Sequence, residues 1–284
     1  MAVMLAAALA LIASLCYGVS NFVGPVLSRD VPVYPVLIAG QVVAFCVSAI
    51  VVGLAREPVP DATVVGAAAL AGVGNAWGLI AFYRAAAIGP LSIVTPVGSL
   101  GAIVPVVVGV SGGESLGPVK LTGMVLALAG VALAARRPGG PQGAERHVRA
   151  AALWALSSAL GFGLFLTFMA PASEDGVFWA VALSRAALLP VLVAAAWLLA
   201  ASLRAPLRRL PNVALPGLLL FAGTLAYSSA TREGDLSVVS VLGCLFPLVT
   251  VTLAFALLGE RLRRSQAAGV AAAIAGVVLV SLQT

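Results

Sequence analysis

Long apolar runs follow one another along this chain, and Gly, Pro and charged residues separate them into ten segments. A helix that crosses a bilayer needs about 20 predominantly apolar residues, which is roughly the length of each run. The pattern therefore predicts ten membrane-spanning helices. They cover residues 3–23, 33–54, 63–83, 91–110, 119–135, 150–168, 177–201, 213–230, 236–258 and 265–282.

The second half of the chain repeats landmarks of the first half. The matching positions, 144 to 146 residues apart, are Tyr17 with Phe162, Gly18 with Gly163, Gln41 with Arg185, Tyr83 with Tyr227, Gly89 with Gly234, Ser92 with Ser237, and Glu114 with Glu260. A spacing of about half the chain length indicates that one unit was duplicated. Because each unit holds five spans, the second copy enters the membrane from the opposite side, and this predicts an inverted repeat.

The longest polar stretch, RRPGGPQGAERHVR at residues 136–149, lies between the two copies and is the plausible linker. We therefore divide the chain into a first five-helix repeat at residues 1–137, a linker at 138–148 and a second five-helix repeat at 149–284. The predicted fold class is all-α, a polytopic membrane protein of two inverted five-helix repeats.

Composition supports a membrane protein and excludes a soluble one. Hydrophobic residues make up 62% of the chain and charged residues only 9%, whereas globular domains carry about 25% charged residues. The net charge of +6 comes from residues dispersed among short connectors, so no nucleic acid partner is expected. Three cysteines at unrelated spacings and a single histidine, His147, predict no disulfide framework, no metal site and no cofactor.

The basic residues predict the orientation of the chain. Twelve lie in the odd-numbered connectors and three in the even-numbered connectors and at the ends of their helices. The positive-inside rule then places the odd-numbered connectors in the cytoplasm and both termini outside, in the plasma (inner) membrane.

Two stretches resemble the EamA repeat of the drug/metabolite transporter superfamily. The first is FYRAAAIGPLSIVTPV at residues 82–97, which an apolar helix and then GGE at 112–114 follow. The second is LFPLVTVTLAFALLGERLRRSQAAGVAAAIAGVVLV at 245–280. The resemblance implies a secondary carrier of small metabolites or drugs, often an exporter, and in many members both termini are cytoplasmic. The first copy departs from the family pattern, because it reads GGESLGP where the family is nearer LGERL.

Polar residues at helical spacing mark the inner faces of several spans, since polar groups that face lipid are costly. The candidate substrate-binding residues are Ser14, Tyr17, Asn21, Asn75, Trp77, Thr95, Ser99, Arg185, Thr224, Tyr227, Ser228, Ser240 and Cys244. Small hydroxyl residues also let membrane helices approach closely, so packing is the alternative interpretation for Ser and Thr. The larger Asn and Tyr side chains need polar partners in hydrocarbon, which makes packing alone a weaker explanation for them.

Arg185 lies about eight residues inside the predicted seventh span, and no Asp or Glu lies comparably deep. It is expected to bind an anionic substrate, to bind helix-end carbonyls, or to extend its stem towards the headgroups. Glu114 and Glu260 are expected to close helix ends at opposite membrane faces, with gating as the functional alternative.

Three classes of function remain. The first is a carrier for a small-molecule substrate by alternating access, in which substitution of Asn21, Asn75, Tyr227 or Arg185 reduces transport. The second is a membrane scaffold that binds a partner. The third is an intramembrane enzyme, which the lack of a nucleophile, zinc or phosphate-loop motif disfavours. The carrier is our prediction, as a monomer or a homodimer in the lipid bilayer.

Overall fold

The computed structural model describes residues 2–112, 117–134, 142–202, 210–259 and 264–281, and every regular element in these ranges is helical. The predicted all-α fold is confirmed. The helices are α1 (Ala2–Leu27), α2 (Val33–Ala55), α3 (Ala62–Ile88), α4 (Leu91–Gly98), α5 (Ile103–Ser111), α6 (Pro118–Ala134), α7 (Gln142–Ala172), α8 (Val177–Leu198), α9 (Leu210–Glu233), α10 (Leu236–Gly243), α11 (Phe246–Leu258) and α12 (Arg264–Ser281), and a 3₁₀ turn at Ser99–Ala102 joins α4 to α5.

Eight helical segments in the described part of the chain are long and apolar enough to cross a membrane. They are Met4–Leu27, Val33–Ala55, Ala62–Ile88, Leu91–Gly109, His147–Ala172, Val177–Leu198, Asn212–Glu233 and Val238–Leu258. Helices α6 and α12 occupy the predicted fifth and tenth spans, but they have only 17 and 18 residues. The chain is thus a multi-pass membrane protein, and the exact number of ten spans stays a prediction.

The predicted fourth and ninth spans are each interrupted near a proline. Pro105 has no N–H to donate to the carbonyl of Gly101, four residues earlier, and Gly101 lies in the 3₁₀ turn. In the ninth span, Pro247 occupies the first turn of α11, where its missing N–H costs nothing, and α10 ends at Gly243, again four residues earlier. Both breaks therefore follow from the same backbone chemistry.

Helix α7 begins earlier than the apolar pattern predicts. The apolar run starts near residue 150, whereas the helix starts at Gln142 and has 31 residues. Residues 142–149 are polar but include good helix formers such as Ala, Glu, Gln and Arg, so the helix extends beyond the apolar run. Hydropathy indicates which part of a helix lies in the hydrocarbon of the membrane. It does not indicate where the helix ends.

The helices pack as expected for two copies related by a two-fold axis. The third span of one copy packs along the first span of the other, once as α3 with α7 and again as α9 with α1. Helices that are counterparts of each other are also in contact, namely α2 with α8 and α6 with α12. A two-fold axis produces both kinds of contact. Rotation about it converts a contact between two different helices into the equivalent contact of the other copy, and helices that lie at the axis contact their own counterparts.

The closest backbone contacts repeat the same symmetry. A Cβ at Gly18 would lie 2.9 Å from the carbonyl oxygen of Phe246, and a Cβ at Gly163 would lie 2.7 Å from the carbonyl oxygen of Gly101. Gly163 is 145 residues after Gly18, and Phe246 is 145 residues after Gly101. Glycine at these positions lets α1 and α7 each approach the interrupted span of the opposite copy.

Candidate functional site

A small cavity of about 40 Å³, which we call the central cavity, lies where α1, α3, α7 and α9 meet the break between α10 and α11. Its walls are mostly apolar and include four aromatic rings. The lining residues are Tyr17, Asn21, Asn75, Leu79, Phe162, Phe165, Leu166, Leu220, Gly243, Cys244 and Phe246. An apolar cavity with a few placed polar groups is typical of small-molecule sites. Because sites for drug-sized ligands have volumes of about 300–1,000 Å³, a solute must widen this cavity when it binds.

Asn21 and Asn75 are the two amide side chains of the cavity. They are 5% and 4% exposed, and neither side chain makes a hydrogen bond to the part of the chain that the structure describes. Each amide offers two donors and an acceptor oxygen. Buried polar groups are normally paired, so two amides left without protein partners in one cavity indicate a site for a polar solute or for water.

Arg185 lies behind the cavity wall and is fully buried. Its Nη1 donates to Oε1 of Gln41 at 2.9 Å, and its Nη2 donates to the carbonyl oxygen of Leu220 at 3.0 Å and to Oγ1 of Thr224. These bonds join α8 to α2 and α9. Its side chain therefore does not extend to the headgroups, and it binds a backbone carbonyl within a helix and not at a helix end.

Tyr17 connects Arg185 to the cavity. Its ring lines the cavity, and its hydroxyl lies beside Thr224 and Arg185 but makes no hydrogen bond of good geometry. Within the described ranges Arg185 forms no ion pair, and its three partners are uncharged. A positive charge without a neutralising carboxylate thus lies next to the cavity.

Two tyrosines at repeat-related positions lie beyond opposite ends of the cavity. The Tyr227 hydroxyl donates to the carbonyl oxygen of Leu166 at 3.0 Å and is paired with Oγ of Ser240 at 2.7 Å. The Tyr83 hydroxyl makes no such bond within the described residues and lies against Gly24, where a Cβ would overlap it. The two tyrosines therefore differ in their hydrogen bonding, although they occupy equivalent positions of the two repeats.

A larger cavity of about 410 Å³, which we call the vestibule, lies beyond Tyr83. It is formed by the end of α1, the start of α2, the end of α3 and the start of α4, and its lining residues are Pro25, Ser28, Arg29, Val33, Tyr83, Ala86, Ala87, Ile88, Gly89 and Pro90. The central cavity and the vestibule lie one helical turn apart, from Asn21 to Pro25 on α1, which is about 6 Å at 1.5 Å per residue.

The remaining predicted site residues lie around the cavity or away from it. Thr95 and Ser99 are buried and donate to carbonyls of their own span, at Leu91 and Pro96. Trp77 is 43% exposed, and its Nε1 donates to Oγ of Ser157 at 2.9 Å on the outside of the bundle. The structure thus brings Tyr17, Asn21, Asn75 and Cys244 into one cavity. It places Ser14, Thr224, Tyr227, Ser228 and Ser240 in the buried interior without lining it.

Sequence reasoning missed the apolar part of the wall. Phe162, Phe165 and Phe246 line the cavity, but an apolar residue that faces a cavity has the same sequence signal as one that faces another helix. Glu114 and Glu260 lie outside the described residues. Within those ranges no three His, Cys, Asp or Glu side chains are placed to hold a metal ion.

Residues 149–282 match the model of the EamA-like transporter family. This part of the chain is similar to EamA-like transporter domains. The family belongs to the drug/metabolite transporter superfamily, so the resemblance seen in the sequence is confirmed. Members of that family are transporters rather than enzymes, and the match favours a transporter of that type.

Other comparisons add the fold of the whole chain. One solved structure, titled only "Crystal structure of protein", has a TM-score of 0.72 to this chain at 17% identity, and the match covers 98% of this chain and 96% of that chain. At that identity the likeness establishes the fold alone, and the match includes both halves of the chain. No curated protein matches the sequence.

Proposed function

We propose that the protein is a secondary carrier that binds a small organic solute in the central cavity and moves it by alternating access. The observation that carries this proposal is the pair of amides, Asn21 and Asn75, which lie in a cavity near the contacts between the two repeats and make no hydrogen bond to the described residues. In inverted-repeat carriers the substrate binds at the interface of the repeats, and one repeat moves against the other around it.

The difference between Tyr227 and Tyr83 supports two-sided access. Tyr227 is held by two hydrogen bonds at one end of the cavity, and the Tyr83 hydroxyl, beside the vestibule at the other end, makes none to the described residues. In an inverted repeat the two halves can exchange conformations, which closes one side as it opens the other. This structure then represents a state that is closed at Tyr227 and partly open towards the vestibule.

Export is the direction that we propose. The vestibule includes Arg29 and lies at the α1–α2 connector, on the side that carries most of the basic residues. The positive-inside rule makes that side cytoplasmic. A carrier that loads solute from a cytoplasmic vestibule releases it outside. A C-terminal topology reporter that responds in the cytoplasm would overturn this orientation.

The test is a transport screen of the wild type, Asn21→Ala and Asn75→Ala in reconstituted vesicles, with amino acids, nucleosides and other small metabolites as candidate solutes. We expect at least one solute whose transport falls about 5- to 30-fold in each variant, because each lost hydrogen bond to a buried solute is worth about 1–2 kcal/mol. Asn212→Ala is the matched control, since Asn212 is exposed on α9. Transport that is equal in all four proteins would contradict the site.

A further inference from the structure

The charge of the preferred solute follows from Arg185, and this inference rests on the proposed function. We propose that the central cavity selects a small carboxylate with an apolar, planar body over a neutral analogue, and that it excludes the analogous cation. Arg185 acts at a distance as a determinant of specificity, and Tyr17, Asn21 and Asn75 make the contacts.

The first step concerns charge. Arg185 is fully buried, and its hydrogen-bond acceptors are the neutral oxygens of Gln41, Leu220 and Thr224. It forms no ion pair among the residues that the structure describes. A charge in a medium of low dielectric acts over a longer distance than a charge in water, because solvent does not screen it. The cavity beside it therefore has a positive potential, which attracts anions and repels cations.

The second step concerns hydrogen bonding. Tyr17 lies between Arg185 and the cavity, with its oxygen near the guanidinium group and Thr224. The Tyr17 hydroxyl is enclosed and has no hydrogen-bond partner of good geometry among the described residues, so it is a donor that a solute oxygen reaches when the cavity widens on binding. Together with the amide NH₂ groups of Asn21 and Asn75, the site presents three side chains with donors to bind the oxygens of a carboxylate.

The third step concerns the body of the solute. The rings of Phe162, Phe165 and Phe246 form the apolar part of the wall, with Leu79 and Leu166 beside them. Aromatic walls favour planar apolar groups through offset and edge contacts. A solute with a ring at one end and a carboxylate at the other end fits both parts of the cavity.

The experiment compares three probes of similar size, phenylacetate, phenylacetamide and phenethylammonium. Dissociation constants are measured at neutral pH for the full chain in detergent, with the wild type, Arg185→Gln, Arg185→Lys and Tyr17→Phe. We expect the wild type to bind the carboxylate at least about tenfold more tightly than the ammonium, with the amide between them. Arg185→Gln should reduce this ratio about tenfold and retain amide binding, and Arg185→Lys should retain the ratio.

The ratio separates electrostatics from a merely structural role, because a loosened helix contact weakens all three probes equally. Arg232→Gln, which removes an exposed charge from the end of α9, is the control and should leave the ratio unchanged. Tyr17→Phe should weaken the carboxylate and the amide and leave the binding of the ammonium unchanged. If Arg185→Gln fails to fold, the carboxylate-to-ammonium affinity ratios of Arg185→Lys and Tyr17→Phe still test the inference.

The inference is overturned if the wild type binds the carboxylate and the ammonium equally, or if it binds none of the three probes. A ratio that Arg185→Gln leaves unchanged also overturns it. The outcome for the carrier is separate. If the wild type transports cationic solutes and the asparagine variants lose that transport, the proposed function stands and the charge preference is wrong.

Discussion

Arg185 donates a 2.9 Å hydrogen bond to Gln41, the residue at the same position of the other repeat. Counterparts meet only where the two-fold axis passes, so this bond places α2 and α8 at the axis. Arginine at both positions would place two like charges within hydrogen-bonding distance, where they would repel each other. Only one of the two counterpart positions can therefore be arginine. The first copy has Gln because its amide oxygen accepts from the guanidinium of the second copy.

The surroundings determine which copy carries the charge. Thr224, which accepts from Arg185, corresponds to Ile80 at the 144-residue spacing that matches Tyr83 with Tyr227. An arginine in the first copy would meet an aliphatic side chain where Arg185 meets a hydroxyl. Charged groups in hydrocarbon need such partners, so the second copy is the one that supports Arg185.

We predict that Gln41→Arg destabilises the protein far more than Arg185→Gln does. The first change adds a second buried charge without a partner and should cost at least about 3 kcal/mol. The second change leaves two amides that can pair, and it loses the bonds to Leu220 and Thr224. Thermal unfolding in detergent gives the order of the two variants. A Gln41→Arg protein as stable as the wild type would show that the two positions do not meet.

The symmetric glycine contacts give a second prediction. Gly18→Ala and Gly163→Ala each place a methyl group under 3.0 Å from a backbone oxygen, so we expect each to lower stability by about 2 kcal/mol or more. The matched controls are Gly53→Ala and Gly66→Ala, which have open space at the same substitution and should stabilise their helices by about 0.5–1 kcal/mol. Melting temperatures of the four variants test this difference, and equal losses at all four positions would contradict it.

Trp77 and Asn75 give a third prediction, because they are two residues apart on α3 but lie in different environments. Trp77→Phe removes an exposed hydrogen bond to Ser157 and should cost about 0.6 kcal/mol, the average for such bonds in membranes, with solute affinity unchanged. Asn75→Ala should weaken solute binding and leave the melting temperature nearly unchanged. Binding and unfolding measured on both variants test the assignment. If Trp77→Phe bound the solute more weakly than the wild type, Trp77 would belong to the binding site after all.

The sequence was sufficient for the fold class, and it predicted several of the residues that the structure brings into one cavity. Long apolar runs separated by Gly, Pro and charged residues indicate directly which segments lie in hydrocarbon. The repeat spacing predicted which positions of the two copies are counterparts. Tyr17, Asn21 and Asn75 were found because a polar group within a span is costly without a role. Trp77 shares that signal, but its indole nitrogen bonds outside the bundle.

The rest depended on three-dimensional packing. The Phe residues of the cavity wall, the bond between Gln41 and Arg185, and the different hydrogen bonding of Tyr83 and Tyr227 each involve residues at least 13 positions apart or a cavity between helices. Helical periodicity identifies a face of one helix, but it does not identify the helix that the face contacts. The repeat supplied part of this information, since contact between counterparts at an axis follows from symmetry alone.

The tyrosine pair gives the last prediction. Tyr227→Phe removes the donor to Leu166 and the partner of Ser240, so it should destabilise the closed end of the cavity by about 1–2 kcal/mol, which is about a 5- to 30-fold shift towards the open state. Tyr83→Phe should leave this state unchanged, because the Tyr83 hydroxyl makes no hydrogen bond to any residue that the structure describes. It should instead weaken closure of the vestibule in the opposite state.

Accessibility of a single introduced thiol measures both shifts. Thr231→Cys is one helical turn beyond Tyr227 on α9, and Ala87→Cys is in the vestibule one turn beyond Tyr83, each in a chain in which Cys16, Cys46 and Cys244 are serine. A membrane-impermeant reagent should label Thr231→Cys faster when Tyr227→Phe is present, and it should label Ala87→Cys more slowly, because opening at one end closes the other. Acceleration at both positions would indicate loosening of the fold, and unchanged rates at both would remove Tyr227 from the gate. The opposite responses of the two thiols are the result that only alternating access produces.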